Sequence, residues 1–214
     1  MTESTLRRSL WQRDGWVPKH PGLILLLALM YFVAARVGLT LAVVGGAVSL
    51  VWPPSGIALV AMLVFGRGLA PGIALGSLLA NVSVGVPIPV ALGIAVGATL
   101  AALMGALMLA RWADFHATLD RGRDVVSLIL VGAVLGTAVS AVIGVSSLTA
   151  GGVVPVSDYA STCIKWWLGD MMGVLVVAPP LLVLLGHARP SVTPLKAVEA
   201  AVLLVAISGV SHLV

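Results

Sequence analysis

YASTCIKWWLGDMMGVLVVAPPLLVLL, residues 159–185, is long and apolar enough to cross a bilayer, where roughly 20 such residues suffice. Near its middle stands Asp170, in Trp166-Trp167-Leu168-Gly169-Asp170. An ionised carboxylate at mid-membrane costs about 2.5 kcal/mol or more unless it is paired or hydrated, which marks Asp170 as a site residue or a tie between helices. Gly169 and Gly173 are four apart, a spacing that lets a neighbouring backbone come close. Trp166 precedes Asp170 by four residues and shares its helix face.

The rest of the chain has the same character. Of 214 residues, 60% are hydrophobic and only 9% charged, with mean hydropathy +1.14, which excludes a soluble domain and predicts an all-α, polytopic transmembrane helix bundle. Residues 1–21 form a basic cytoplasmic segment, and residues 22–214 form one integral-membrane domain. A net charge of +4 does not indicate nucleic acid, because the basic residues are scattered between apolar segments without a basic stripe. Cys163 is the sole cysteine, so neither an internal disulfide nor a CxxC metal site is available. Trp52, Trp112, Trp166 and Trp167 fall near predicted helix ends or turns, where an indole favours the membrane interface.

Seven segments are predicted, two of them short. The first covers residues 23–44 and ends at Gly45-Gly46. The second starts at Trp52-Pro53-Pro54-Ser55-Gly56, since proline is tolerated in a first helical turn, and runs to Phe65. The third covers 71–85, and both of these either cross a thinned bilayer or form a re-entrant hairpin. Pro87 and Pro89 mark a tight loop before the fourth, 90–109. The fifth covers 125–150 and the sixth 159–185, with an interruption expected at Pro179-Pro180. The seventh begins near Lys196 and is still apolar at Val214. Between the fourth and fifth, the charged run from Arg111 to Asp124 reads as a solvated loop, with Asp124 suited to cap the fifth helix.

Small residues recur every four positions. Gly72, Gly76 and Ala80 line the third segment, and Gly93, Gly97, Ala101 and Gly105 the fourth. Gly132, Gly136, Ser140 and Gly144 line the fifth. Such seams imply close helix packing through van der Waals contact. Asn81, beside the third seam, is expected to find a polar partner across helices.

Basic residues in the connections, from Arg7 through Arg67, Arg111 and Arg123 to Lys196, fall in alternate connections, and the opposite ones hold none. The positive-inside rule therefore puts the N-terminus in the cytoplasm. Only Arg36 and Lys165 lie within the first six segments. At 1.5 Å per residue, Arg36 and Asp170 sit about 21 and 25 Å from the inner ends of their helices. That predicts an Arg36–Asp170 charge pair, with Lys165 as the alternative partner. Glu199 sits near the inner boundary and His212 near the outer one; a bis-histidine haem is excluded, because His20, His116 and His187 are cytoplasmic.

No phosphate-binding glycine loop, HExxH helix or serine nucleophile elbow is present. The chain is therefore read as no enzyme, with no catalytic residue, metal or cofactor.

Several motifs carry a resemblance. Val51-Trp52-Pro53-Pro54-Ser55-Gly56-Ile57-Ala58-Leu59 leads, followed in order by Phe65-Gly66, Pro71-Gly72 and Leu79-Ala80-Asn81. Leu119-Asp120-Arg121 with Asp124-Val125 comes next, then Trp166 to Asp170, Gly173-Val174-Leu175 and Ala178-Pro179. In these the chain resembles the bacterial membrane-associated sensor domain of the first type, an integral-membrane input module of histidine kinases and diguanylate cyclases. It departs at Gly97-Ala98-Thr99-Leu100-Ala101-Ala102, where relatives carry two further polar groups. The resemblance implies an eighth helix and a cytoplasmic effector beyond Val214, so the chain reads as truncated at its C-terminus.

The resulting expectation is a sensory input module whose site is lined by Trp52, Asn81, Trp166, Trp167 and Asp170, with Arg36 as counter-charge. Expected partners are the lipid bilayer, an unidentified small-molecule or membrane ligand and, as in relatives, a cytoplasmic signalling domain in cis. A homodimer is a further candidate partner; nucleic acid is not. The alternatives are a small-molecule permease or substrate-capture subunit, whose short helices and midplane charge it shares, and a structural anchor recruiting partners through residues 111–124.

Overall fold

The computed structural model describes residues 21–40, 51–113 and 115–185. The basic N-terminal stretch, Gly45-Gly46, His187, Arg189 and the seventh segment with Glu199 and His212 lie outside the described residues. Six helices are described: α1 Pro21–Thr40, α2 Pro53–Phe65, α3 Ala70–Val82, α4 Ile88–Trp112, α5 Gly122–Ala150 and α6 Tyr159–Leu185. Four of them, α1, α4, α5 and α6, are long and apolar enough to cross a membrane. The other two have 13 residues each, roughly 20 Å at 1.5 Å per residue. No strand occurs among the described residues.

The core is rich in small residues. Ala35, Ala91, Ala106, Ala133 and Ala178 are fully buried, whereas Leu25, Leu29, Ile88 and Leu130 point outward. This distribution suits helices in lipid, where a leucine gains nothing by turning inward and close backbone approach supplies the attraction. The glycine seams lie at these contacts. Gly72 and Gly76 of α3 face the Ile24 and Ala28 carbonyls of α1. Gly93 and Gly97 of α4 face Ser147 and Ile143 of α5, while Gly136 meets Gly105 across the same pair of helices. Gly132 lies against Leu59 of α2.

Four local features differ from the sequence reading. First, α3 stops at Val82, and Pro89 stands in the first turn of α4 instead of in a loop. Second, α6 stays helical through Pro179 and Pro180, without the expected interruption. Each proline removes one backbone donor, which a long packed helix can absorb. Third, residues Leu128–Gly136 of α5 form a π-helix. Two side chains donate to carbonyls of that stretch: the Thr137 hydroxyl to Ala133 O and the Trp167 indole to Val134 O at 2.9 Å. A π stretch disturbs the regular i→i−4 ladder, and such donors stabilise the displaced carbonyls.

The fourth difference is in the connection between α4 and α5, which is not simply solvated. Asp124 is fully buried. It caps no amide of its own helix through its side chain; it accepts from the His116 backbone N–H and from Arg121 Nε, both at 3.0 Å. Arg123 donates to the Ala113 carbonyl at 2.7 Å. The charged residues thus fold the loop back on the end of α5, and Phe115 is buried beneath it.

Candidate functional site

The two tryptophan motifs close on each other. Pro53 and Pro54 open α2, where a missing amide hydrogen costs nothing. Just before them, the Trp52 backbone N–H donates to the Gly169 carbonyl of α6 at 2.9 Å. The Trp52 carbonyl lies directly over Gly173, and Gly56 lies over the Gly173 carbonyl. Any side chain at Gly56 or Gly173 would hold these segments apart. Their contact places Ser55 opposite Asp170, and its hydroxyl donates to Asp170 Oδ1 at 2.6 Å.

Asp170 is 2% exposed, buried in protein and shielded from lipid. Its second oxygen, Oδ2, is buried without a hydrogen-bond partner. Ser140 and the Trp166 indole also face the carboxyl group, and Trp166 Nε1 reaches Ser140 Oγ at 3.4 Å.

Beside Asp170 lies a cavity of about 400 Å³. Five helices and Trp52 wall it: Tyr31 and Leu39 from α1, Ser77, Ala80 and Asn81 from α3, Ile94 and Ala98 from α4, Ser140 and Leu148 from α5, and Thr162, Trp166, Gly169 and Asp170 from α6. Val84, Val86, Val153 and Val154 extend the wall into the α3–α4 and α5–α6 connections, so the cavity runs from that end of the bundle down to the carboxylate. A second void, about 20 Å³, touches Asp170, Ser55 and Ser140, enough for about one water. The two indoles rest on glycines, Trp52 against Gly38 and Trp166 against Gly144.

Of the residues expected to line a site, Trp52, Asn81, Trp166 and Asp170 meet in this cavity. Trp167 does not; its indole is turned to the π stretch of α5. Asn81 lines the cavity, but its amide donates to Ser77 O within its own helix instead of across helices. The expected Arg36–Asp170 pair is not formed. Arg36 is exposed and reaches Ser83 Oγ at 3.4 Å, and no ion pair joins Arg36 or Lys165 to Asp170 among the described residues. Equal depth along two helices does not make their side chains face each other. The sequence does not mark Tyr31, Ser55 or Ser77 as site residues, and it marks Ser140 only as part of a packing seam. Ser55 lies within the quoted proline motif, but Tyr31 and Ser77 look like ordinary interior residues until the helices are assembled. No group of three or more possible metal ligands occurs among the described residues.

Residues 23–214 match MASE1, a membrane-associated sensor domain found in histidine kinases and diguanylate cyclases. The chain belongs to the MASE1 family. No curated protein and no solved structure matches it. As a MASE1 domain it is a multi-pass membrane sensor module, an input unit and not a catalytic one.

Proposed function

We propose that this MASE1 domain senses an occupant of the Asp170 cavity and passes the change in helix packing to a cytoplasmic histidine kinase or diguanylate cyclase domain. The observation that carries this reading is the cavity itself. It is bounded by five helices and reaches Asp170, whose Oδ2 is buried without a hydrogen-bond partner. An occupant that fits one arrangement of those helices better than another shifts their equilibrium, which is the thermodynamic requirement for a sensor.

The cavity mouth is at the end of the bundle that the basic-residue pattern assigns to the outside. The output lies at the opposite end, where Arg121 and Asp124 organise the α4–α5 connection. Between them, Trp166 faces the cavity while its neighbour Trp167 holds the π stretch of α5. A shift of α6 at the cavity would therefore pull on α5, and a π stretch can repair to regular helix by moving one residue's worth of hydrogen bonds.

The test is a chimera of the chain with a diguanylate cyclase or kinase output domain. Asp170→Asn, and Thr162→Trp at the mouth, should each change basal output at unchanged protein level in the membrane. Unchanged output in both variants would reject the cavity as the sensing site.

A further inference from the structure

The chemistry of the cavity is one-sided. Its deep end presents Asp170, whose Oδ1 is satisfied by Ser55 while Oδ2 makes no hydrogen bond, although Ser140 and the Trp166 indole face the carboxyl group. Its wall carries three aromatic rings, Tyr31, Trp52 and Trp166, besides aliphatic side chains and small polar groups. No lysine or arginine lines it among the described residues. A buried carboxylate oxygen without a donor is costly, and a positively charged donor answers it best. Aromatic faces add to the attraction for a cation once water is excluded.

We propose that the cavity binds an organic cation, a protonated primary amine with a compact apolar body. The ammonium group would donate to the Asp170 carboxylate, and the body would lie among Tyr31, Trp52 and Trp166. This rests on the reading of the cavity as the sensing site and names the class of its occupant. At about 400 Å³ the space is in the range of small-molecule pockets. An anion would meet no cationic donor on the wall. A transition-metal ion would find one carboxylate and no group of three His, Cys, Asp or Glu among the described residues. A neutral hydroxyl could donate to Oδ2 but would leave the carboxylate charge uncompensated in an apolar wall.

The test uses the full chain in lipid nanodiscs at constant ionic strength. Phenethylammonium and its neutral isostere 2-phenylethanol are titrated while binding is read by calorimetry and by tryptophan fluorescence. Saturable binding of the amine is expected, about tenfold or more tighter than the alcohol, because a hydrogen bond to a charged partner is worth more than a neutral one. Asp170→Asn should weaken the amine about tenfold or more and change the alcohol little. Thr162→Trp, which leaves the carboxylate untouched, should weaken both, and it serves if Asp170→Asn does not fold.

Equal affinity for the two probes, amine affinity unchanged in Asp170→Asn, or no saturable binding by phenethylammonium or by the smaller butylammonium would overturn the cation assignment. If no amine binds but the cavity variants still alter the chimera's output, the ligand class fails and the sensory reading stands. If the amine binds and no cavity variant alters output, the binding site stands and the sensory reading fails.

Discussion

Ser55 and Asp170 are 115 residues apart in the chain, yet the hydroxyl of one donates to the carboxylate of the other at 2.6 Å. The bond joins the proline-opened start of α2 to the middle of α6. It exists because Gly56 and Gly173 carry no side chains to keep these segments apart.

Removing the hydroxyl leaves Asp170 Oδ1 without its donor. Ser55→Ala is expected to destabilise the domain by about 1–3 kcal/mol, the cost of an unsatisfied buried polar group. The measurement is reversible unfolding in mixed micelles. In a double-mutant cycle with Asp170→Asn, the two changes should be markedly non-additive; simple additivity would deny the bond its importance.

Gly173→Ala places a methyl group into the Trp52 carbonyl, a backbone atom that cannot step aside. Folded yield after solubilisation should fall steeply, since overpacking of this kind typically costs 1–3 kcal/mol or more. Gly22→Ala is the control. Nothing lies within 4 Å of a Cβ at that position among the described residues, and alanine gains about 1 kcal/mol of helix propensity if it sits fully within the helix.

Trp167→Phe removes the donor to Val134 O. Hydrogen exchange in residues 128–136 should accelerate, by an amount corresponding to about 0.5–1.5 kcal/mol. Binding in the cavity should change little, because Trp167 does not line it. Trp166→Phe should do the reverse.

Arg36→Gln should add to Asp170→Asn within about 0.5 kcal/mol, as expected of sites with no direct contact. Their side chains have separate partners, Ser83 for Arg36 and Ser55 for Asp170. A coupling of several kcal/mol in the cycle would restore the charge pair that depth alone suggests.

Asp124→Asn weakens the contacts that close the α4–α5 connection, to His116 N–H and Arg121 Nε. The loop should open, and trypsin should cut after Arg121 or Arg123 several times faster than in the unaltered domain. An unchanged cleavage rate would show that the loop is held by other contacts.

Hydropathy alone determined the class of fold and, within a few residues, where six helices run. Lipid imposes long apolar segments whose backbone bonds are satisfied internally, and that constraint is written locally in the sequence. Four-residue glycine spacing likewise pointed to surfaces where helices approach. What faced what was not legible. Arg36 and Asp170 lie at matching depths but are turned to different partners, because rotation about each helix axis is set by packing with neighbours. Tyr31 and Ser77 carry no signal of their own, Ser140 only that of a packing seam, and all three become cavity residues only when α1, α3 and α5 meet. The burial of Asp124 inside a charged loop, and the π stretch gripped by Trp167, likewise arise from contacts between segments distant in sequence. Which side chains share a space was decided by the tertiary structure, since it depends on how all the helices pack at once and no local pattern encodes that.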